Sequence, residues 1–360
     1  MRRVPRERLP PETFRLPVDR LRDGYYSDAY FNFTKELLEA ENRRPRVLMQ
    51  VFQKQDSLLG GIDEAIAILR RCSGCYRDGQ WADGWDQLVV HGLYEADPIT
   101  PFETVMTIEG DYALFAHLET VYLGALARRT LVARNTRAVV EAARGKAILF
   151  MPARHDHWLV QTGDGWAAHE AGAIGVSTDA NASWWGGRGV GTVPHALIAA
   201  YDGDTVAAAR AFAGRYAGSM NVTVLVDFEN DSSRTAIEVA DALGDDLWGV
   251  RLDTSESLVD RSLETQGGPK GVNPELVRLV RSALDGAGHQ RVRIVASGGF
   301  TVDKIAQFES EGVPVDAYGV GSSLVRGNND FTADVVMVNG RPCAKVGREL
   351  RPNARLERVV

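Results

Sequence analysis

Five apolar stretches of this chain end in residues that can carry charge or let a ligand approach closely. Arg154 and His157 follow 147–152, Asp227 and Glu229 follow 222–226, and Arg251-Leu252-Asp253 closes 248–253. Ser297-Gly298-Gly299 ends 292–297, and Gly319-Val320-Gly321-Ser322 ends 317–321. An Arg and an Asp two residues apart on an extended segment point the same way, as a site holding a polar ligand requires. The glycine pairs remove side chains just before a helix would open at Thr301, and bare backbone N–H groups at such a place suit a phosphate. His195 lies in Gly191-Thr192-Val193-Pro194-His195, at the start of an apolar helical stretch. There the helix dipole disfavours imidazolium and leaves a neutral base or nucleophile, or else a simple cap.

Other chemistries have less behind them. A Schiff base needs a lysine at a strand end, and between 147 and 328 the lysines are Lys270 and Lys304, on loop or helix stretches. His155, His157, His169 and His195, with Asp156, lack the i, i+4 spacing of helix-borne metal ligands, so no metal site is expected. Cys72-x-x-Cys75 has redox or zinc spacing but no second pair, and Cys343 is the third of three cysteines. The role of Cys72 and Cys75 stays open. So sparse a cysteine content fits a reducing cytoplasm rather than a disulfide framework.

These residues must be held by an alternating scaffold. Short, nearly all-apolar strands at 147–152, 222–228, 248–253, 292–297 and 317–321 alternate with helices at 204–217, 233–243, 275–287 and 301–311. Strands covered on both faces read this way, so a parallel sheet in a barrel or doubly wound fold is expected, its chemistry at the C-terminal strand ends. No GxGxxG follows an early strand, which disfavours a dinucleotide site. The first hundred residues lack this rhythm and read as α+β, with helices at 24–40 and 62–72 and a strand at 46–53. A long helix is expected from 111 to 129 and a hairpin around Asn339-Gly340 within 332–346. The domains are therefore set at 1–112, joined by 330–360, and 113–329.

The 360 residues are 44% hydrophobic and 25% charged, ample for a folded core. With 41 Lys and Arg against 48 Asp and Glu, the formal charge is −7, a poor basis for binding nucleic acid or an anionic membrane. The basic N-terminus has no apolar leader core, and no apolar run approaches the ~20 residues of a membrane span.

Taken in order, these motifs resemble the type II phosphoribosyltransferases, which include the nicotinate, nicotinamide and quinolinate enzymes, most closely the nicotinate ones. Ser27-Asp28-Ala29-Tyr30-Phe31, Ala173-Ile174-Gly175-Val176-Ser177-Thr178, Gly191 to Leu197, Arg251 to Ser255 and the two glycine loops all carry the likeness. The resemblance implies an incomplete β/α barrel with an N-terminal α+β sandwich domain, and a homodimer with shared active sites or a higher oligomer. It implies that nicotinate and phosphoribosyl pyrophosphate become nicotinate mononucleotide and pyrophosphate, in NAD biosynthesis or salvage. ATP and Mg2+ would take part.

By the same likeness, Asp253 holds the ribose, Arg251 lies beside ring and phosphate, and Arg154 helps hold the acidic ligand. Tyr30, from the partner subunit, stacks on the pyridine next to Asp28. Ser297, Gly298, Gly299, Gly319, Gly321 and Ser322 hold the 5′-phosphate, while His195 takes a phosphoryl group from ATP. Met151, His157, Ser177 and Asp227 complete the substrate pocket. The family pattern has an aromatic where Met151 stands and often a second arginine where His155 stands. Its archaeal zinc module after the hairpin is missing, so no structural zinc is expected. Two other readings stay open: a decarboxylating quinolinate enzyme, whose pocket should be richer in Arg and Lys, and a non-catalytic nucleotide-binding paralogue.

Overall fold

A computed structural model describes residues 6–264 and 268–359, so part of the basic N-terminus lies outside the described residues. The chain is mixed α/β and divides into two compact units, Met1–Arg134 with Gly327–Val360 and Asn135–Arg326. No helix among the described residues is long and apolar enough to cross a membrane.

The first unit is built on a six-stranded antiparallel sheet. Its central strand, β1 (Arg46–Phe52), is flanked by Thr332–Val338 on one side and by β3 (Met106–Asp111) on the other, and β2 (Val89–Gly92) pairs beyond β3. Thr332–Val338 turns at Asn339-Gly340, both at positive φ (50° and 76°), into Arg341–Pro342. One sheet face is apolar: Met106, Ile108 and Gly110 are buried while their neighbours are not. Against it pack α2 (Ile62–Cys72), which follows α1 (Ala29–Ala40), and the first turns of α3 (Glu119–Ala142). Ile62, Ala65, Ile66 and Leu69 are buried at the 3.6-residue period of α2. Burial of each large side chain contributes about 1.5–3 kcal/mol.

Three expectations shift here. Residues 112–118 form two 3-10 turns, because Asp111 ends β3 and accepts a hydrogen bond from Ala113 N at 3.0 Å, so the long helix starts at Glu119. That helix then runs past the division at Arg134/Asn135, because Tyr122 and Leu126 belong to the core of the first unit. The domain seam therefore lies beyond residue 112. The helix read at 24–40 begins at Ala29, with Gly24 in a turn at φ +67°.

The second unit is a curled parallel sheet. In chain order its strands are β4 (Ala147–Phe150), β5 (Gly175–Val176), β6 (Val222–Leu225), β7 (Leu247–Leu252), β8 (Arg293–Ala296) and β9 (Ala317–Val320). They lie side by side as β6-β7-β8-β9-β4-β5, every neighbouring pair parallel. The last strand thus pairs with the first, as in a barrel. All residues of β6 and β9 are buried, which explains their unbroken apolar sequence. The open gap is bridged by one segment: Val190 N donates to Val176 O at 2.7 Å and Val193 N to Thr223 O at 2.9 Å. That bridge leads directly into α5 (His195–Ala200). The helix α4 (Gln161–Glu170) precedes β5, and α6 (Thr205–Tyr216), α7 (Ser232–Leu243), α8 (Pro274–Gly286) and α9 (Val302–Ser310) follow. Asp204, Asn273 and Thr301 cap α6, α8 and α9, each accepting from a backbone N–H in the first turn.

Candidate active site

The parallel register brings the C-terminal strand ends of the second unit to one rim. Val226 N donates to Arg251 O at 3.2 Å and Ser297 N to Leu252 O at 2.9 Å, so the residues after β6, β7 and β8 stand abreast. Their side chains interlock. Arg251 Nε donates to Ser297 Oγ at 2.7 Å, and its Nη1 reaches Thr192 Oγ1 at 3.4 Å. Ser297 Oγ lies 2.7 Å from Asp253 Oδ1, its acceptor, and 3.0 Å from Leu252 O. Arg251 Nη2 is 3.6 Å from the same Asp253 oxygen. The carboxylate of Asp253 is thereby fixed by a serine hydroxyl and a guanidinium that is itself tied at three points.

Next along the rim, His195 Nε2 lies 3.0 Å from Asp227 Oδ1, and the Asp227 side chain is only 6% exposed. A carboxylate only accepts, so Nε2 carries the proton and Nδ1 is left as the free, basic nitrogen. The hydrogen bond that His195 donates to Asp227 raises the His195 pKa above its ordinary value, against the desolvation that lowers it, with Asp253 adding to the rise and Arg251 opposing it. The helix start alone suggested the opposite direction. Here α5 is six residues long, and a paired carboxylate outweighs its dipole.

The glycine loops lie beside this network. Gly298 and Gly299 take φ of +87° and +64°, left-handed values that favour glycine, and their N–H groups have no acceptor among the described residues. A Cβ on Gly298 would come 3.4 Å from Asp253 Oδ1. On the adjacent strand, a Cβ on Gly319 would meet Met151 Sδ at 2.9 Å and Ser297 Cβ at 3.2 Å. Only a bare backbone lets Met151 lie across that strand end. Gly321 is as close to the ring of His155, and Ser322 opens the turn Ser322–Leu324.

The remaining expected residues are placed less centrally. Ser177 follows β5, its N donating to Phe150 O at 3.1 Å, and its buried Oγ has no partner. Arg154 and His157 follow β4 and are exposed. Arg154 has no partner among the described residues. His157 accepts from Leu159 N at 3.2 Å and stacks on Trp158, a local capping role. Asp28 and Tyr30 belong to the first unit. Asp28 accepts from Thr120 Oγ1 at 2.8 Å rather than capping α1, and the Tyr30 ring is 60% exposed, packed on Phe31.

Three rim residues escaped the sequence reading. Thr192 anchors Arg251. Glu256 lies over Gly299. Lys304 donates to Gly298 O at 3.1 Å, its charged form disfavoured by burial and favoured by Glu256. Lys304, set aside in the sequence as a helix-borne lysine, stands one helical turn from the Thr301 cap.

Among the described residues, no three His, Cys, Asp or Glu side chains converge to hold a metal ion. Cys72 and Cys75 are buried in the first unit, where burial pushes the Cys72 thiol up to about 11.

The chain is similar to known proteins. The model for the N-terminal domain of quinolinate phosphoribosyl transferase matches residues 28–130. A nicotinate phosphoribosyltransferase of Mycobacterium tuberculosis is 32% identical over 265 residues, 71% of this chain and 55% of its own. The chain thus spans about half the length of such curated relatives. The crystal structure of nicotinate-nucleotide pyrophosphorylase from Pyrococcus furiosus superposes with a TM-score of 0.78 at 30% identity, covering 96% of this chain and 86% of that one. Human nicotinic acid phosphoribosyltransferase shares the fold, with a TM-score of 0.68 at 17% identity over 88% of this chain and 76% of that one.

Proposed function

This chain belongs to the type II phosphoribosyltransferase family, and from that premise we propose that it joins nicotinate to phosphoribosyl pyrophosphate. The pyridine nitrogen bonds to C1 of the ribose, the C1–O bond breaks, and pyrophosphate leaves with the electron pair, giving nicotinate mononucleotide. The observation that carries this reading is the Asp253 carboxylate, pinned by Ser297 and Arg251, beside the unpartnered N–H groups of Gly298 and Gly299. The N–H groups suit the 5′-phosphate, and the carboxylate suits the ribose hydroxyls and the positive charge that develops on the ring. Gly319, Gly321 and Ser322 extend the phosphate cradle.

Met151 offers a thioether face to the pyridine, with Tyr30 of a partner subunit on the other side, and exposed Arg154 is free for the carboxylate. Ser177, His157 and Asp28 line the pocket edges. We take the working form to be a homodimer with shared sites. Mg2+ would accompany the pyrophosphate and neutralise it, held by the ligand's oxygens, since among the described residues no acidic cluster gathers to hold it.

ATP coupling is part of the same proposal. His195 Nδ1 attacks the γ-phosphorus, the bond to the bridging oxygen breaks and ADP leaves, while Asp227 holds the Nε2 proton. Water later cleaves the N–P bond. The nicotinate-specific names of relatives at 32% identity support this branch. The match to the quinolinate N-terminal model favours a second reading, quinolinate as substrate. Against it stands the modest basic content of the rim, where Arg251 is tied to Ser297, Thr192 and Asp253, Lys304 is tied to Gly298 O, and no strand ends in lysine. The test is purified protein with phosphoribosyl pyrophosphate, Mg2+ and nicotinate, nicotinamide or quinolinate in turn, with pyrophosphate measured. Release with nicotinate alone supports the proposal, and release with quinolinate alone overturns it.

A further inference from the structure

Around the Gly298–Gly299 loop, carbonyls are engaged where N–H groups are not. Lys304 Nζ donates to Gly298 O at 3.1 Å and Ser323 Oγ to Phe300 O at 2.8 Å. Neither glycine N–H has an acceptor among the described residues. Lys304 reaches the loop from the first turn of α9, where its own backbone N–H donates to Thr301 Oγ1 at 3.3 Å. Its ammonium lies 4.5 Å from the centre of the Phe300 ring.

This is an unusual use of a half-buried cation. Burial disfavours its charge, and the carboxylate that favours it, that of Glu256, is not its hydrogen-bond partner. Glu256 instead fills the place that a Cβ on Gly299 would take, so an anion already reaches this backbone. The lysine spends its donor on a neutral carbonyl, and the consequence lies in the peptide it holds.

Gly298 O and the Gly299 N–H belong to one trans peptide and point opposite ways. Holding the carbonyl on Lys304 therefore turns the Gly299 N–H away from the ammonium. Without that hold, two successive glycines at φ of +87° and +64° could flip the peptide at little cost, since glycine takes either sign of φ. A cation on the carbonyl also polarises the amide and strengthens its N–H as a donor. We propose that Lys304 is the positioning residue of this loop: it fixes the Gly298–Gly299 peptide so that the N–H is presented to a phosphate monoester, and it does not itself touch the phosphate. This rests on the reading of the loop as the 5′-phosphate site.

The probe is ribose 5-phosphate, with glycine isotope-labelled so that the Gly298–Gly299 peptide gives its own carbonyl–amide NMR cross-peak. Equilibrium binding, that cross-peak, the melting temperature and kinetics with phosphoribosyl pyrophosphate are followed in wild type, Lys304→Met and Lys304→Arg. Ribose 5-phosphate should shift the wild-type peak. Lys304→Met should displace the peak already in the free protein and weaken ribose 5-phosphate about tenfold, the order of one lost hydrogen bond. The KM for phosphoribosyl pyrophosphate should rise in parallel while kcat changes little. Lys304→Arg, which can donate to the same carbonyl, should restore most of the binding. The Met side chain keeps its packing on Phe300, so the melting temperature should hold. Weakened binding with the free-state peak unmoved would mean that the ammonium meets the phosphate directly, and overturns the positioning role. Equal binding in wild type and Lys304→Met also overturns it and leaves the phosphate loop standing. A loss of binding that tracks a lower melting temperature marks a folding role and overturns it too. Wild-type binding that leaves the peak unmoved removes the loop as the phosphate site, and Lys304 with it. The binding measurements need no turnover, so their outcome is separate from the choice of pyridine substrate.

Discussion

Ser297 Oγ stands between Asp253 and Arg251, donating to the Asp253 carboxylate at 2.7 Å while accepting from the Arg251 guanidinium at 2.7 Å. A single hydroxyl thus sets both the position and the charge environment of the carboxylate that faces the glycine loop.

Asp253→Ala should remove about 3 kcal/mol of transition-state stabilisation, a hundredfold or more in kcat/KM for phosphoribosyl pyrophosphate. Ser297→Ala removes only the anchor, so a loss of about tenfold, chiefly in kcat, is expected with the melting temperature little changed. Steady-state kinetics on both variants check this, and near wild-type turnover in Asp253→Ala would reject the ribose assignment.

The Asp227 hydrogen bond holds the His195 pKa above its ordinary value. Its contribution to stability is therefore full below the unfolded value and fades as pH rises through the folded one. Labelling by ATP needs the neutral imidazole, so its rate should climb with pH. In Asp227→Asn the climb should move to lower pH and the maximal rate should fall, because the tautomer is no longer imposed. A pH profile of acid-labile label on the two proteins tests this; coincident profiles would detach Asp227 from the chemistry.

Tyr30 and Asp253 lie in different units of the chain, and the proposed dimer makes them neighbours across subunits. Tyr30→Ala and Asp253→Ala should each be nearly inactive alone, while mixed dimers should recover part of the activity through one intact site. Confirmed heterodimers with no recovery would mean that each site is built from one chain.

Glu119, at the start of α3, is pushed up to about 8, first by burial and then by Asp334 and Asp28, while the Tyr112 hydroxyl favours the charged form. The folded chain therefore binds a proton there that the unfolded chain, near ~4.3, has lost. Stability should fall as pH rises from about 5 to 8. Glu119→Gln should flatten this slope and gain about 2 kcal/mol at pH 9, a discounted share of the full shift. Denaturant unfolding at pH 6 and pH 9 measures it, and an unchanged slope would remove Glu119 as the source.

How much of this was written in the sequence follows from distance along the chain. Strands β6 to β9 were readable because a strand covered on both faces is an unbroken apolar run, and the polar residue ending each run is local to it. Arg251 and Asp253 share one strand, so their common direction was legible too. The pairing of His195 with Asp227, 32 residues apart, was not, and neither was its reversal of the pKa direction expected from the helix start. Thr192 was hidden for the same reason: its value comes from the bridge between β5 and β6, which exists only once the sheet curls. The helix α4 was missed because Gly163 and Gly165 lower its propensity while packing holds it. That Thr120, far along the chain, holds the Asp28 carboxylate could not be read from the sequence either.

The most direct measurement is a competition. Nicotinate, nicotinamide and ring-labelled quinolinate are offered together at equal concentration with limiting phosphoribosyl pyrophosphate and Mg2+, and the mononucleotides formed are resolved by mass. Unlabelled nicotinate mononucleotide should dominate, and Asp253→Ala should abolish it. Labelled nicotinate mononucleotide with release of carbon dioxide, or nicotinamide mononucleotide as the main product, would contradict the nicotinate assignment.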